Sequence, residues 1–282
     1  MKKLFIKLNP LLKIIIFSPL FIYIGERSLI AYDEGYYVLQ SRWILENDNW
    51  IGPMWFDKVI LDRTIGIQYL LAISQKIFGE NNFGIFFPII FSSIIMLYLT
   101  YLIHKELFGN ENALISPLVL STTFLWINYA NIASQDIVFA TIITFGIFAT
   151  LKASKTNRTI FYFLSSIWIG FGFMLKTYLT VIPFISILPI LVQKKVILKK
   201  TFWLGLLTGF LPFILWTYNA ITFYGFNEYN GLFRKLLILS GDNNFSNPFY
   251  YYLWNLPANI FPWSVFLFSG FLISYKLKDN LI

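Results

Sequence analysis

The chain alternates between long apolar runs and short polar gaps, and this block pattern is its strongest signal. Apolar blocks recur at about 11–31, 83–103, 113–130, 137–151, 159–175, 178–192, 201–223 and 254–275. Runs of this kind are too long for the one-sided stripe of a soluble helix, and most approach the roughly 20 residues that cross a bilayer as a helix. The pattern predicts an all-α, polytopic transmembrane helix bundle of about eight spans. Blocks 159–175 and 178–192 are separated only by Lys176 and Thr177, which predicts a tight reversal there rather than one over-long helix.

Two polar segments are long. The first, 32–82, begins in AYDEGYYVLQSRWILENDNW, where Tyr36, Leu39 and Trp43 recur at helical spacing. A turn follows around Asn47–Pro53, and then a second amphipathic piece, IGIQYLLAISQKIF. Aromatic, amphipathic helices of this sort lie in the membrane interface rather than across it. The second polar segment, 224–253, carries Glu228, Arg234, Lys235 and Asp242 and ends in NPFYYYLWN. No internal repeat or low-complexity tract interrupts the chain, which reads as a single transmembrane domain over 1–282 without a C-terminal soluble domain.

Composition agrees with the pattern. Of 282 residues, 57% are hydrophobic, 20% aromatic and only 13% charged, against roughly a quarter charged in ordinary soluble domains. The N-terminal lysines followed by an apolar core have the form of a secretory signal. The bulky continuation FIYIGERSLIAYDEGYY offers no small-x-small cleavage site, so an uncleaved first span is expected.

Charge then orients the bundle. Lysine and arginine gather at the N-terminus, at Lys152, Lys155 and Arg158, at Lys194, Lys195, Lys199 and Lys200, and at Lys276 and Lys278. With a cytoplasmic N-terminus all these gaps fall inside, as the positive-inside rule requires. The net charge of +8 is therefore spread along the membrane and forms no nucleic-acid face. Zero cysteines exclude disulfides, thiolate nucleophiles and thiolate metal sites. In the same topology Asp33, Glu34, Glu46, Asp48, Asp57, Asp62, Glu80, Asp136, Glu228 and Asp242 all fall outside. Acids contribute little to orientation, so their gathering needs another cause, and a site on the outer face supplies one.

Each charged candidate also has a plainer reading. Asp33 can cap a helix over 34–46, Asp62–Arg63 can be a surface ion pair, and Asp136 can cap a helix beginning at Ile137. Lys176, between two apolar blocks, is harder to explain as a solvated charge. His104, the only histidine, stands beside Lys105 at an inner end and reads as structural. The aromatic residues read as an interface belt or as platforms for sugar C–H groups.

Taken in order, DEGYY, DNWIGP, an acid–base pair before a helix ending IFG, KELFG, NYANIASQD, GFGFMLK and PFYYYL…FPWSVFL resemble the GT-C membrane glycosyltransferases. The resemblance runs over nearly the whole chain. It is nearest to the family 39 group of aminoarabinose transferases and protein O-mannosyltransferase-like enzymes, and the chain is short at the C-terminus for such a protein. It implies transfer of a sugar from a polyprenyl-phosphate donor to a hydroxyl of a lipid, glycan or protein acceptor on the outer face, with inversion. The polyprenyl carrier follows from the resemblance, while the Lys/Asn/Ile-rich composition without low-complexity tracts reads as bacterial, so undecaprenyl phosphate is expected over dolichyl phosphate, with the enzyme in the plasma membrane.

Asp33 and Glu34 occupy the family's acidic pair and, with Asp136, are the catalytic residues the resemblance implies, Asp33 as the base or the acceptor-orienting group and Asp136 assisting. Asp62–Arg63 fits the family's acid–lysine pair better than Asp57–Lys58 does. Arg63, Lys176 and Arg234 are the expected donor-phosphate ligands, and Asp62 is a metal-binding or orienting carboxylate. The second outer segment lacks a histidine that relatives place near a metal or phosphate, so a divalent cation is left open. A non-catalytic or incomplete relative and a lipid-linked saccharide transporter are the competing classes. A transporter calls for charges inside several spans near the midplane, and here they collect at span ends.

Overall fold

The computed structural model describes residues 2–21, 28–30, 33–52, 54–55, 58–241 and 248–277. Asp57, Asp242 and Lys278 lie outside the described residues, as do 22–27 of the first apolar block. Helix α1 is Lys2–Phe17, α2 Asp33–Asn47, α3 Gly66–Phe78, α4 Asn82–Phe108, α5 Ile115–Ser121 and α6 Phe124–Tyr129. Then come α7 Gln135–Lys155, α8 Thr159–Lys176, α9 Val181–Gln193, α10 Lys200–Tyr224, α11 Phe226–Tyr229, α12 Gly231–Gly241, α13 Phe249–Ile260 and α14 Leu267–Leu277. A two-residue antiparallel ladder, Met54–Trp55 with Lys58–Val59, is the one departure from all-α structure among the described residues.

Among the described residues four helical stretches are long and apolar enough to cross a membrane, five if the bent pair Tyr250–Ile260 and Trp263–Ile273 is one span. The eight expected crossings are thus not all met at full length, for local reasons. The 113–130 block breaks at Thr122–Thr123 into α5 and α6, where the hydroxyls turn back onto Leu118 and Val119 carbonyls. The last block bends by 110°. The two breaks meet: the Phe124 amide donates to the Phe261 carbonyl at 3.0 Å, and the Trp263 indole donates to Thr122 Oγ1 at 2.8 Å. Backbone groups freed by each break, which lipid cannot satisfy, are thereby partly satisfied by the other.

One of the four stretches, Thr159–Gln193, is 35 residues of nearly continuous helix, but it does not run one way. Thr177 stands at φ +45°, a conformation that a β-branched residue rarely adopts and that costs about 1–3 kcal/mol. Past it the chain returns: Leu191, Val196 and Phe202 share a core with Tyr162 and Ala153, Lys199 lies over the Tyr162 ring, and Ser166 Oγ donates to the Phe202 carbonyl at 2.6 Å. So α8 rises, α9 descends and α10 rises again. The reversal expected at Lys176–Thr177 is present.

Close packing of α8 against α10 depends on small residues. A Cβ on Gly170 would stand 2.0 Å from the Gly209 carbonyl carbon, and one on Gly205 would stand 2.3 Å from the Phe163 carbonyl oxygen. Gly205 and Gly209 form a small-xxx-small motif of the kind that lets spans approach without a hydrophobic driving force. The Trp168 indole covers Gly146 of α7 in the same way. At one end of the bundle Lys152 of α7 pairs with Glu106 of α4 at 2.5 Å, and His104 meets Ser116 Oγ at 2.7 Å, the structural role expected of it. The opposite end is covered by α2, α3, α11 and α12.

Candidate functional site

The charged residues read from the sequence converge at that covered end. Asp33 is the first residue of α2, one position earlier than expected, and its Oδ1 lies 2.6 Å from Arg63 Nη1. The same Nη1 donates to the Tyr37 hydroxyl at 2.5 Å. The Arg63 guanidinium sits 5.4 Å from the Tyr36 ring centroid and 5.3 Å from that of Tyr37. Arg63 belongs to the turn before α3, and that turn presses on α8: a Cβ on Gly66 would stand 2.4 Å from the Met174 carbonyl oxygen. Two residues beyond Met174, Lys176 closes α8 with its ammonium on Asp136 Oδ1.

Asp136 does not cap α7. The helix begins at Gln135, and Ser134 is its cap, accepting from the Asp136 amide at 3.4 Å and donating to Asp136 Oδ2 at 2.9 Å. Asp136 therefore sits in the first turn, where the helix dipole favours a carboxylate, with one oxygen turned to Lys176. The two pairs share one neighbourhood, because Asp33 and Asp136 both act electrostatically on Tyr37 and on Tyr129. Burial pushes the Tyr37 phenol up to about 12, so at neutral pH it remains a proton carrier and is no base. The carboxylates are the groups able to take a proton.

Glu34 is placed differently from its neighbour. It is 1% exposed, and its two oxygens accept from the Ile30 amide at 2.6 Å and the Ala133 amide at 2.7 Å. It ties the start of α2 to the segment leading into α7, holding Asp33 and Asp136 at one end. Hydrogen bonds to a charged acceptor are worth about 1.5–3 kcal/mol each. Glu34→Ala is accordingly expected to destabilise the protein by about 3 kcal/mol or more, read as a lower thermal unfolding midpoint in detergent. An unchanged midpoint would contradict the tethering role.

Asp62 lies beside the cluster. Its Oδ1 accepts from Tyr36 at 3.0 Å, its Oδ2 holds Lys235, and Arg63 Nε is 3.9 Å away. Burial first, and then the Asp62 carboxylate, raise the Tyr36 phenol above its usual range. Among the described residues no three His, Asp or Glu side chains gather to hold a metal ion. In this arrangement the Asp62 carboxylate faces two cationic heads, Lys235 and Arg63. Arg234, the third expected phosphate ligand, is exposed on α12, and the adjacent Lys235 is the residue that enters the cluster. Sequence reading also passed over Tyr37 as a partner of Arg63. Its only signal was its position four residues after Asp33.

A separate open cleft of about 310 Å³, lined by Leu45, Asp48, Trp50, Gln75, Lys76, Gly79 and Glu80, lies at the far ends of α2 and α3. It shares no residue with the charged cluster.

A family model described as dolichyl-phosphate-mannose-protein mannosyltransferase matches residues 62–218. The chain belongs to this family. Among its relatives is an undecaprenyl phosphate-alpha-4-amino-4-deoxy-L-arabinose arabinosyl transferase of Wigglesworthia glossinidia brevipalpis, 29% identical over 272 residues, 91% of this chain and 48% of the relative. A protein of the same description from Yersinia pestis (strain Pestoides F) is 29% identical over 178 residues, 61% of this chain and 32% of that one. The chain thus spans a third to a half of these relatives. Among solved structures, ArnT from Cupriavidus metallidurans bound to undecaprenyl phosphate superposes with a TM-score of 0.80 at 14% identity, over 95% of this chain and 51% of that one. Its apo state gives 0.75. These structural likenesses establish the fold, a multi-pass membrane bundle.

Proposed function

We propose that the chain carries the donor site of a membrane glycosyltransferase that moves a sugar from a polyprenyl phosphate to a hydroxyl acceptor. One observation carries the reading: two acid–cation pairs, Asp33–Arg63 and Asp136–Lys176, drawn from four separated stretches of sequence, lie together at one end of the bundle. Partly exposed ion pairs add only about 0–1 kcal/mol each to stability, so stability explains their gathering poorly. Family membership and the names of the relatives favour a lipid-phosphate donor, with an undecaprenyl-linked pentose ahead of other sugars.

In this reading Arg63 and Lys176 bind the donor phosphate, Arg63 through its planar fork. They stabilise the charge that grows on the phosphate as the glycosidic bond breaks. A phosphate arriving at Arg63 displaces the Asp33 carboxylate. Asp33, freed and 56% exposed, then takes the proton of the acceptor hydroxyl as its oxygen attacks C1. Asp136 holds Lys176, Tyr37 holds Arg63, and Glu34 fixes the frame. Helices α2, α3, α11 and α12 roof the site on the outer face of a single transmembrane unit whose N-terminus is cytoplasmic. A donor that cannot leave the bilayer requires such a site at the lipid–water boundary.

Attack in one displacement inverts C1. The anomeric configuration of the product, compared by NMR with that of the donor, is expected to be inverted. Retention would reject the single-displacement mechanism and the role given to Asp33.

A further inference from the structure

We propose that Lys235 is a positioning residue: it latches α12 onto the Asp62–Arg63 turn and thereby leaves the Arg63 guanidinium free to face the donor phosphate. The latch has three contacts. The Lys235 ammonium lies on Asp62 Oδ2, Leu232 packs in the same core as Leu61, and a Cβ on Gly231 would stand 3.3 Å from the Leu61 carbonyl oxygen. Asp62 is thus engaged on both oxygens, by Tyr36 on one and Lys235 on the other.

That double engagement controls Arg63. Asp62 Oδ2 is only 3.9 Å from Arg63 Nε, close enough that a small rotation would bring the carboxylate and guanidinium into a fork-to-fork pair. Lys235 occupies that oxygen. Arg63 therefore turns its outer Nη1 to Asp33 and Tyr37, with its guanidinium beside the Tyr36 and Tyr37 rings. Without Lys235, Asp62 captures Arg63 and draws it off the phosphate position, and α12 loses its ionic hold on the turn.

The positioning role rests on Arg63 binding phosphate as proposed above, but the latch does not, and the test separates them. Hydrogen exchange over residues 226–241 is followed in the purified full chain, wild type and Lys235→Gln, with Lys235→Arg as the conservative control. Transfer kinetics are followed beside it with an undecaprenyl-phosphate sugar donor. Lys235→Gln is expected to exchange faster in this segment and to lower kcat/KM for the donor about tenfold, through a higher donor KM together with a lower kcat, as misplacement of Arg63 requires, and Lys235→Arg to restore both. Unchanged exchange in Lys235→Gln would overturn the latch. Faster exchange with an unchanged donor KM, or with a loss confined to kcat, would overturn the positioning of Arg63. Faster exchange in a chain that transfers no sugar even as wild type would keep the latch and reject the glycosyltransferase reading.

Discussion

Replacing Asp33 with Asn is expected to lower kcat for sugar transfer by about 10²–10⁴, the range for removal of a positioned general base, while changing donor affinity little. The substitution is nearly isosteric and keeps an oxygen able to accept from Arg63 Nη1, now 2.6 Å from Asp33 Oδ1. The fold should survive, because Asp33 is half exposed while the tie to the Ala133 segment belongs to Glu34. What is lost is the charge that accepts the acceptor's proton. Steady-state kinetics in proteoliposomes measure this directly. A fall in donor affinity with kcat unchanged would mean that Asp33 serves binding rather than proton transfer. A rate near wild type would remove Asp33 from the mechanism.

Arg63→Met should fail differently. It removes the fork that faces both Asp33 and the proposed phosphate, so it is expected to weaken donor binding and also to cut kcat, together by about 10²–10³ in kcat/KM, the scale for loss of one charge-stabilising donor. Lys176→Met should act in the same direction. Lys176 is only 17% exposed, so its removal also leaves Asp136 without its cation. Arg63→Lys should recover part of the activity, since a lysine keeps the charge and loses the fork. Binding of undecaprenyl phosphate to the purified protein, followed against salt concentration, checks the assignment. Arg63→Met with undiminished affinity would show that the phosphate binds elsewhere.

Much of this arrangement could be read from residue order because the membrane makes patterns blunt. Apolar blocks bounded by lysines gave the helices and the reversal at Lys176. The spacing of Tyr36, Leu39 and Trp43 gave α2, and IGIQYLLAISQKIF gave α3. What escaped depends on a few local contacts that periodicity does not carry. The break between α5 and α6 is satisfied across the fold by Phe261 and Trp263, partners more than a hundred residues away. Nothing in DE distinguishes an exposed Asp33 from a buried Glu34, since burial depends on where Ile30 and Ala133 come to lie. Likewise Arg234 and Lys235 are equivalent in sequence. One helical step of 100° turns the lysine toward Asp62 and leaves the arginine exposed. The small residues of GLLTG passed unremarked in the sequence, because nothing in that motif names its partner, Gly170 of α8.

The most direct test of the central claim is transfer of labelled sugar from an undecaprenyl-phosphate donor pool in membranes containing the wild-type chain, the Asp33→Asn chain or neither, with insertion of both chains verified. The account predicts transfer by the wild type alone, with Asp33→Asn indistinguishable from empty membranes at matched expression. Wild-type membranes that bind the donor yet transfer no more than empty ones, with acceptor shown to be present, would contradict it.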